Sequence, residues 1–341
     1  MATKDLRFPT YIDLASRLGP DNKVESTIIE LLAQTNQTLE DMVTIEGNLP
    51  TGHKTTIRTG LPSATWRLLN YGVQPSKSTT TQVTDECGML EAYAEVDKDL
   101  VKLNGNTAAF RLSEDRAFLE KMNQEMATAM FYGNRQVDPA KFNGLAPRYA
   151  AGYTDRWANR DKIGSNIVPV VAGASGNDQT SIWLVVWGEN TTHGTYPKGS
   201  TLGLSHQDLG EVTLEDDAKG KYQGFRTHYK WDLGMVVRDW RYNVRVCNID
   251  LGTITADPTT GNLFDALDDA ITLIPNLGLG RPVFYCNSRV EALLRKQLRR
   301  NVTGTLTMDQ LTENRSVVRY NGIPFKRSDA ILNTESPVVF S

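Results

Sequence analysis

Acidic residues are missing from one long stretch of this 341-residue chain. Between His53 and Thr84, HKTTIRTGLPSATWRLLNYGVQPSKSTTTQVT, there is no Asp or Glu, while Lys54, Arg58, Arg67 and Lys77 are basic. The stretch reads as strand, turn and strand, yet its apolar residues are too few and too scattered to form a core. Other absences exclude whole classes of function. Cys87, Cys247 and Cys286 lie far apart with no CxxC pair, so neither a zinc site nor a disulfide framework is indicated; free thiols of a reducing cytoplasm are expected. His53, His193, His206 and His228 show no metal spacing and no HExxH. The densest apolar run, IWLVVW at 182–187, falls far short of the roughly 20 residues a membrane span needs. MATKDLRFPTYIDLASRL carries charges throughout, unlike a signal peptide, so a soluble protein made in the cytoplasm is expected.

A surplus of positive charge is also lacking. The formal net charge is -3, which makes no general case for gripping phosphates. There is no phosphate-loop motif. GLGRPV at 278–283 lacks the third glycine of a dinucleotide fingerprint and the strand that should precede it. GASG around Ser175 is not a GxSxG elbow. Asp268 and Asp269 are adjacent on a predicted helix, face different directions and are expected to be solvated. Glu211, Glu215, Asp216 and Asp217 form an acidic patch, in which the adjacent Asp216 and Asp217 are expected in a solvated loop. No catalytic residue, no cofactor-binding residue and no metal ligand is assigned.

What is present is enough apolar material for a real core, 40% of residues, arranged in mixed elements. The segment 26–42 predicts a helix, with Thr27 and Glu30 as a capping box. At 89–97, Leu90, Ala92, Ala94 and Val96 alternate with Glu91, Tyr93, Glu95 and Asp97, the period of a strand with one face buried. RLSEDRAFLEKMNQEMATAMFYGN, 111–134, predicts a long helix capped by Ser113, with Leu119, Met122, Met126 and Met130 on one stripe and Gly133 as its stop. Positions 135–224, rich in Gly, Asn, Thr and Pro, read as turns and short strands around one buried strand at 181–188, and 229–251 as strands. The last third alternates: a helix at 263–274, a strand at 281–286, a helix capped by Asn287, and a hairpin turning at Asn321-Gly322. That order indicates an α+β fold. Arg289, Arg295, Lys296, Arg299 and Arg300 make the helix after Asn287 basic, which reads either as a solvated face or as a surface for phosphates or acids.

The order of these elements resembles the major capsid protein of tailed bacteriophages, with the Hong Kong 97-type fold. The resemblance is carried by an arm ahead of a long hairpin at 53–84, by SEDRAFLEKMNQ and the FYGN ending of the long helix, by FNGLAPRY at 142–149, by HYKWDLGMVVRDWRYNVRVCNID at 228–250, and by RPVFYCNSRVEALLRKQL followed by YNGIPFKRSDAIL. It implies an N-terminal arm at 1–43, an extended β-hairpin loop at 44–88, a peripheral domain at 89–150 with a spine helix at 111–134, a loop-rich β insertion at 151–224, peripheral strands at 225–256 and an axial α/β domain at 257–341. It implies a partner that is the chain itself, in hexamers and pentamers around double-stranded DNA touched without sequence preference, with scaffolding, portal and decoration proteins as further partners and no membrane. The location implied is the virion, assembled in the host bacterial cytoplasm. An encapsulin-like nanocompartment shell shares those features, and an α+β metabolic enzyme is a third reading. On the shell reading, Lys54, Arg58, Trp66, Arg67 and Lys77 of the hairpin are expected to meet acids of a neighbouring subunit, either Glu114, Asp115, Glu120 and Glu125 of the long helix or the 211–217 patch.

Overall fold

The computed structural model describes residues 34–103, 107–171, 176, 178–216, 219–252, 263–300, 306–311 and 315–341. The capping box of Thr27 and Glu30 lies outside these residues. Of the helix expected at 26–42 the described part is one turn, α1 (Thr38–Asp41). Strand β1 (Thr44–Glu46) follows, then the hairpin of β2 (Gly52–Gly60) and β3 (Thr79–Asp97). After β3 come α2 (Lys98–Leu103) and the long α3 (Thr107–Tyr132). The middle of the chain holds α4 (Leu145–Arg148), β4 (Ala151–Gly152), β5 (Ile167–Pro169), β6 (Gln179–Trp187), β7 (Thr192–Tyr196), β8 (Leu204–Glu215), β9 (Lys221–Val237) and β10 (Asn243–Asp250). The last third holds α5 (Leu263–Leu273), β11 (Arg281–Cys286), α6 (Ser288–Arg300), β12 (Leu306–Leu311), β13 (Arg315–Tyr320), β14 (Ile323–Arg327) and β15 (Val339–Phe340).

One sheet runs in the order β12-β13-β14-β11-β6-β7-β9-β3-β2, with β1 added on β7, β8 on β9, and β10 on β6. Its pivot is β6, which pairs antiparallel with β11 and with β10. A strand covered on both faces reads as a near-continuous apolar run; every residue of β6 is buried, and Ile182 to Trp187 are apolar throughout. Alternate side chains then serve two cores. Ile182, Leu184 and Val186 pack with α5, α6, β13 and β14. Trp183, Val185 and Trp187 pack with Met126, Met130 and Phe131 of α3 and with Tyr149. The range 151–224, expected to be loop-rich, therefore contains the centre of the sheet and a twelve-residue strand, β8, as well as loops.

The long helix begins earlier than expected. Ser113 is no cap, because α3 already runs from Thr107. Ala108 and Ala109 favour the helix strongly enough to extend it, and a serine inside costs only a few tenths of a kcal/mol. The methionine stripe holds: Met122, Met126 and Met130 are buried against the sheet. Gly133 ends the helix where a Cβ would lie 2.4 Å from the Phe142 carbonyl oxygen. Asn287 caps α6 by accepting the Val290 N–H at 2.9 Å, and Asn321-Gly322 turns β13 into β14 with φ of 48° and 79°, the left-handed pair such a turn requires.

One acidic expectation is corrected. Asp268 and Asp269 are not merely solvated: Asp269 meets Arg156, and Asp268 accepts from Asn321 at 3.3 Å. Of the acidic patch, Glu211 and Glu215 stand on β8, with Glu211 paired to Lys98, and Asp216 lies just past the end of the strand; Asp217 lies outside the described residues. Acidic residues suit β8 because it is an edge strand, where polar residues can face water at nearly every position.

The C-terminal segment is latched to β6 and β10 by a buried ion pair. Arg245 reaches Glu335 at 2.9 Å, and that carboxylate also accepts from Ser181 and Tyr132. Removing one partner leaves a buried charge unmatched. Glu335→Ala should therefore lower the stability of the unassembled chain by about 3–5 kcal/mol, read from urea denaturation, and a paired Arg245→Met, Glu335→Leu variant should recover much of the loss.

Candidate intersubunit surface

The register of the hairpin runs from Gly52 opposite Glu86 to Gly60 opposite Thr79. From Cys87 onward β3 pairs instead with β9. The hairpin is thus a two-stranded ribbon that continues the sheet outward. A ribbon of this kind is marginal in water without a third layer. Its end, 61–78, contains no strand, and is gathered by the Tyr71 N–H donating to the Leu68 carbonyl at 3.2 Å and by Ser76 donating to the Ser63 carbonyl at 3.0 Å.

The end of the ribbon is apolar as well as basic. Trp66 is fully exposed, and Leu61 and Leu69 are over 80% exposed, at 81% and 83%. Leu68, Tyr71 and Val73 are exposed beside them. Scattered surface leucines need no explanation, but a run of large apolar side chains on one projection marks a contact surface. Lys54, Arg58, Arg67 and Lys77 are all exposed, and among the described residues none has an acidic partner. Of the apolar group, the sequence reading singled out only Trp66. The other side chains were missed because they follow neither helix nor strand period; their one signal was apolar residues without a pattern.

The structure places Glu114, Asp115, Glu120 and Glu125 along α3, and among the described residues no hydrogen bond or ion pair joins them to the hairpin of the same subunit. They are not equally free. Burial raises the Asp115 carboxyl above the ordinary carboxylate range, although a Tyr229 hydrogen bond and Arg111 oppose that shift. Glu120 accepts the Gln34 N–H and the Gln124 side chain, each at 2.9 Å. Glu125 meets Lys121 at 2.7 Å and borders a small apolar crevice between α3 and β3, lined by Met89, Leu90, Met126, Ala129 and Phe142. On β8, Glu211 is held by Lys98 and Glu215 stands 4.0 Å from Lys221.

The root of the ribbon is fastened by polar groups. Asp85 meets Arg148 of α4 at 2.8 Å, and that guanidinium also donates to the Asn143 and Met235 carbonyls. Beside it His53 and His193 are both buried, edge to face with ring centroids 5.6 Å apart, and Arg238 lies 3.3 Å from the His53 ring. The three thiols stay protonated: burial pushes Cys87 up to about 11 and Cys247 up to about 12, and Cys286 higher still. Among the described residues no three His, Cys, Asp or Glu side chains cluster as a metal site, and no helix is long and apolar enough to cross a membrane.

Comparison with known proteins places these features in a family. The family model described as major capsid protein GP7 matches residues 19–339. A chain in the near-atomic structure of bacteriophage Epsilon15 is 36% identical, with 100% of both chains covered and a TM-score of 0.79, and this match bears out the expected Hong Kong 97-type fold. The bacteriophage JBD30 capsid is 9% identical over 93% of this chain and 97% of that one, at a TM-score of 0.46. An encapsulin complex from Synechococcus elongatus is 12% identical over 73% and 97%, at 0.40. No curated protein matches.

Burial and the Arg238 charge hold His193 down at about 4 and lower His53 as well, with Asp85 opposing the shift at His53. The unfolded chain binds protons on these rings near 6.5, so the folded state binds fewer, and stability must fall as pH drops below that value toward 4. Amide protection in β2, taken relative to the intrinsic exchange rate at each pH, should fall over this interval, and His193→Asn should flatten the dependence.

Proposed function

The chain belongs to the family of the major capsid protein GP7, and from that membership we propose that its copies associate as hexamers and pentamers into the icosahedral shell around the double-stranded DNA of a tailed bacteriophage. The work is done by binding, without a catalytic step. Its location is the virion, with assembly in the cytoplasm of the host bacterium. Scaffolding, portal and decoration proteins are the further partners of such a shell, and the DNA is touched without sequence preference. In this reading 44–88 is the extended loop, 89–150 and 225–256 form the peripheral domain around α3, 151–224 supplies the shared strand β6 together with the edge strand β8, 257–341 is the axial domain, and 1–43 is the arm.

The observation that carries the proposal is the hairpin end. It exposes large apolar side chains and unpaired cations, with no layer of its own subunit beneath it among the described residues. Burying one such side chain is worth about 1.5–3 kcal/mol, so the end gains most when a neighbouring subunit covers it. A shell needs no single tight interface, because closure makes many modest contacts act together. Among the acids of the long helix, Glu125 suits the hairpin best: it is exposed enough to meet Arg67 and it borders an apolar crevice that can receive part of the end. Glu114, Asp115 and Glu120 are more engaged within their own subunit.

Charge reversal at Arg58 and Arg67 together, or Trp66→Ser, should abolish or strongly reduce shells seen by electron microscopy. Circular dichroism and the melting temperature of the unassembled chain should stay unchanged, since these side chains touch little of their own subunit. Normal shells from either variant would refute the assignment of the hairpin as a contact element.

A further inference from the structure

The outer edge of β2 is open, and it faces a cationic groove. In an antiparallel ladder alternate residues turn both backbone groups to the same side. Lys54 turns outward: its N–H donates to the Asn48 carboxamide oxygen at 2.7 Å, and its carbonyl accepts from the Asn48 nitrogen at 2.8 Å. A side-chain amide thus occupies the place of a neighbouring strand's peptide at the first position of this edge. By the period of two, Thr56 and Arg58 turn outward as well. Among the described residues no strand and no hydrogen bond engages their outward backbone groups, since β2 pairs only with β3. An unblocked edge of this sort is a template for another strand.

The groove along this edge has a volume of about 990 Å³. Arg58 lines it from the strand, and Arg160, Arg238 and Arg241 line the opposite wall together with Asp161 and Asp239. Asp239 is occupied by Arg241, held by paired hydrogen bonds, so the remaining charge is a positive excess. Nucleic acid would use these cations but would leave the strand edge unmet. A polypeptide strand carrying carboxylates uses both. The described extended segments of this chain offer no free acidic strand, because on β8 Asp208 is paired with Arg111 and Glu211 with Lys98, while Glu91 and Glu95 of β3 face Lys230 and Arg226.

We propose that the edge of β2 beyond Asn48 takes an extended acidic segment of a different polypeptide, which adds as a strand at Thr56 and Arg58 and sets its carboxylates against Arg58 and Arg160. This surface adjoins the hairpin end and shares Arg58 and Leu61 with it, while Arg160 and Arg241 of the opposite wall lie outside that end.

The probe is a fluorescent peptide of about ten residues alternating Glu and Thr, titrated against the full chain and followed by anisotropy. Binding is expected, weakened at least about tenfold when alternate peptide amides are N-methylated, which keeps the charge and removes strand hydrogen bonds. Arg160→Glu, which leaves the hairpin intact, should weaken it similarly while leaving the melting temperature unchanged. Equal affinity for the methylated peptide would overturn the proposal, as would tighter binding of a duplex DNA oligonucleotide of matched length. So would amide-exchange protection of Thr56 and Arg58 in particles assembled from this chain alone, which would make a second copy the occupant.

Discussion

The structure depends on one strand being buried twice. β6 forms the common wall of two cores, one under α5 and α6 and the other under α3, and its alternate side chains divide between them. Neither core can be altered without the other registering the change, because a shift of one residue would exchange every side chain between the two. β11 repeats the pattern beside it, with Phe284 and Cys286 on one side and Val283 and Tyr285 on the other. A subunit that must hold its shape while its surfaces bind several neighbours benefits from such a wall, since interiors packed this closely transmit strain instead of absorbing it.

Around that wall the outlying segments are tied by buried polar groups. Asp41 of α1 receives Lys326 at 2.6 Å, Tyr285 at 2.8 Å, and Arg281; Tyr285 accepts in turn from Trp187 of β6 at 2.7 Å. Glu335 and Arg245 do the same for the C-terminal segment, and Asp85 with Arg148 for the root of the hairpin. Each fastening joins residues far apart in the chain. The hairpin end has no such fastening among the described residues, so the contrast between latched segments and a free projection is part of the design.

Much of this was legible beforehand where a local rule decides the outcome. The period of two at Leu90 to Val96, the methionine stripe, the cap at Asn287 and the turn at Asn321-Gly322 all depend on nearby residues, and all stand. The start of α3 was misread because Ser113 offered a plausible cap, while the helix-favouring Ala108 and Ala109 carried the helix past it. The central position of β6 could not be read from periodicity, since an unbroken apolar run has the same appearance wherever it is buried. Partners such as Asp269 with Arg156, or His53 with His193, depend on tertiary meetings that no spacing encodes. The cations of the hairpin were visible in the composition; the apolar side chains around Trp66 needed the structure, because only exposure separates a contact surface from a piece of core.

The continuity of β3 has a mechanical consequence. The strand carries no break between its pairing with β9 and its pairing with β2, so the ribbon continues the body of the sheet past the Asp85–Arg148 fastening without a hinge. At about 3.3 Å per residue its nineteen residues extend roughly 60 Å. Beyond the fastening the strand runs on from Asp85 to Thr79, so a small tilt of the subunit body displaces the outer end of the ribbon, which samples the local curvature of whatever surface the copies form. A flexible linker at Cys87 would uncouple these motions; an unbroken strand makes the angle between neighbours something the hairpin can feel.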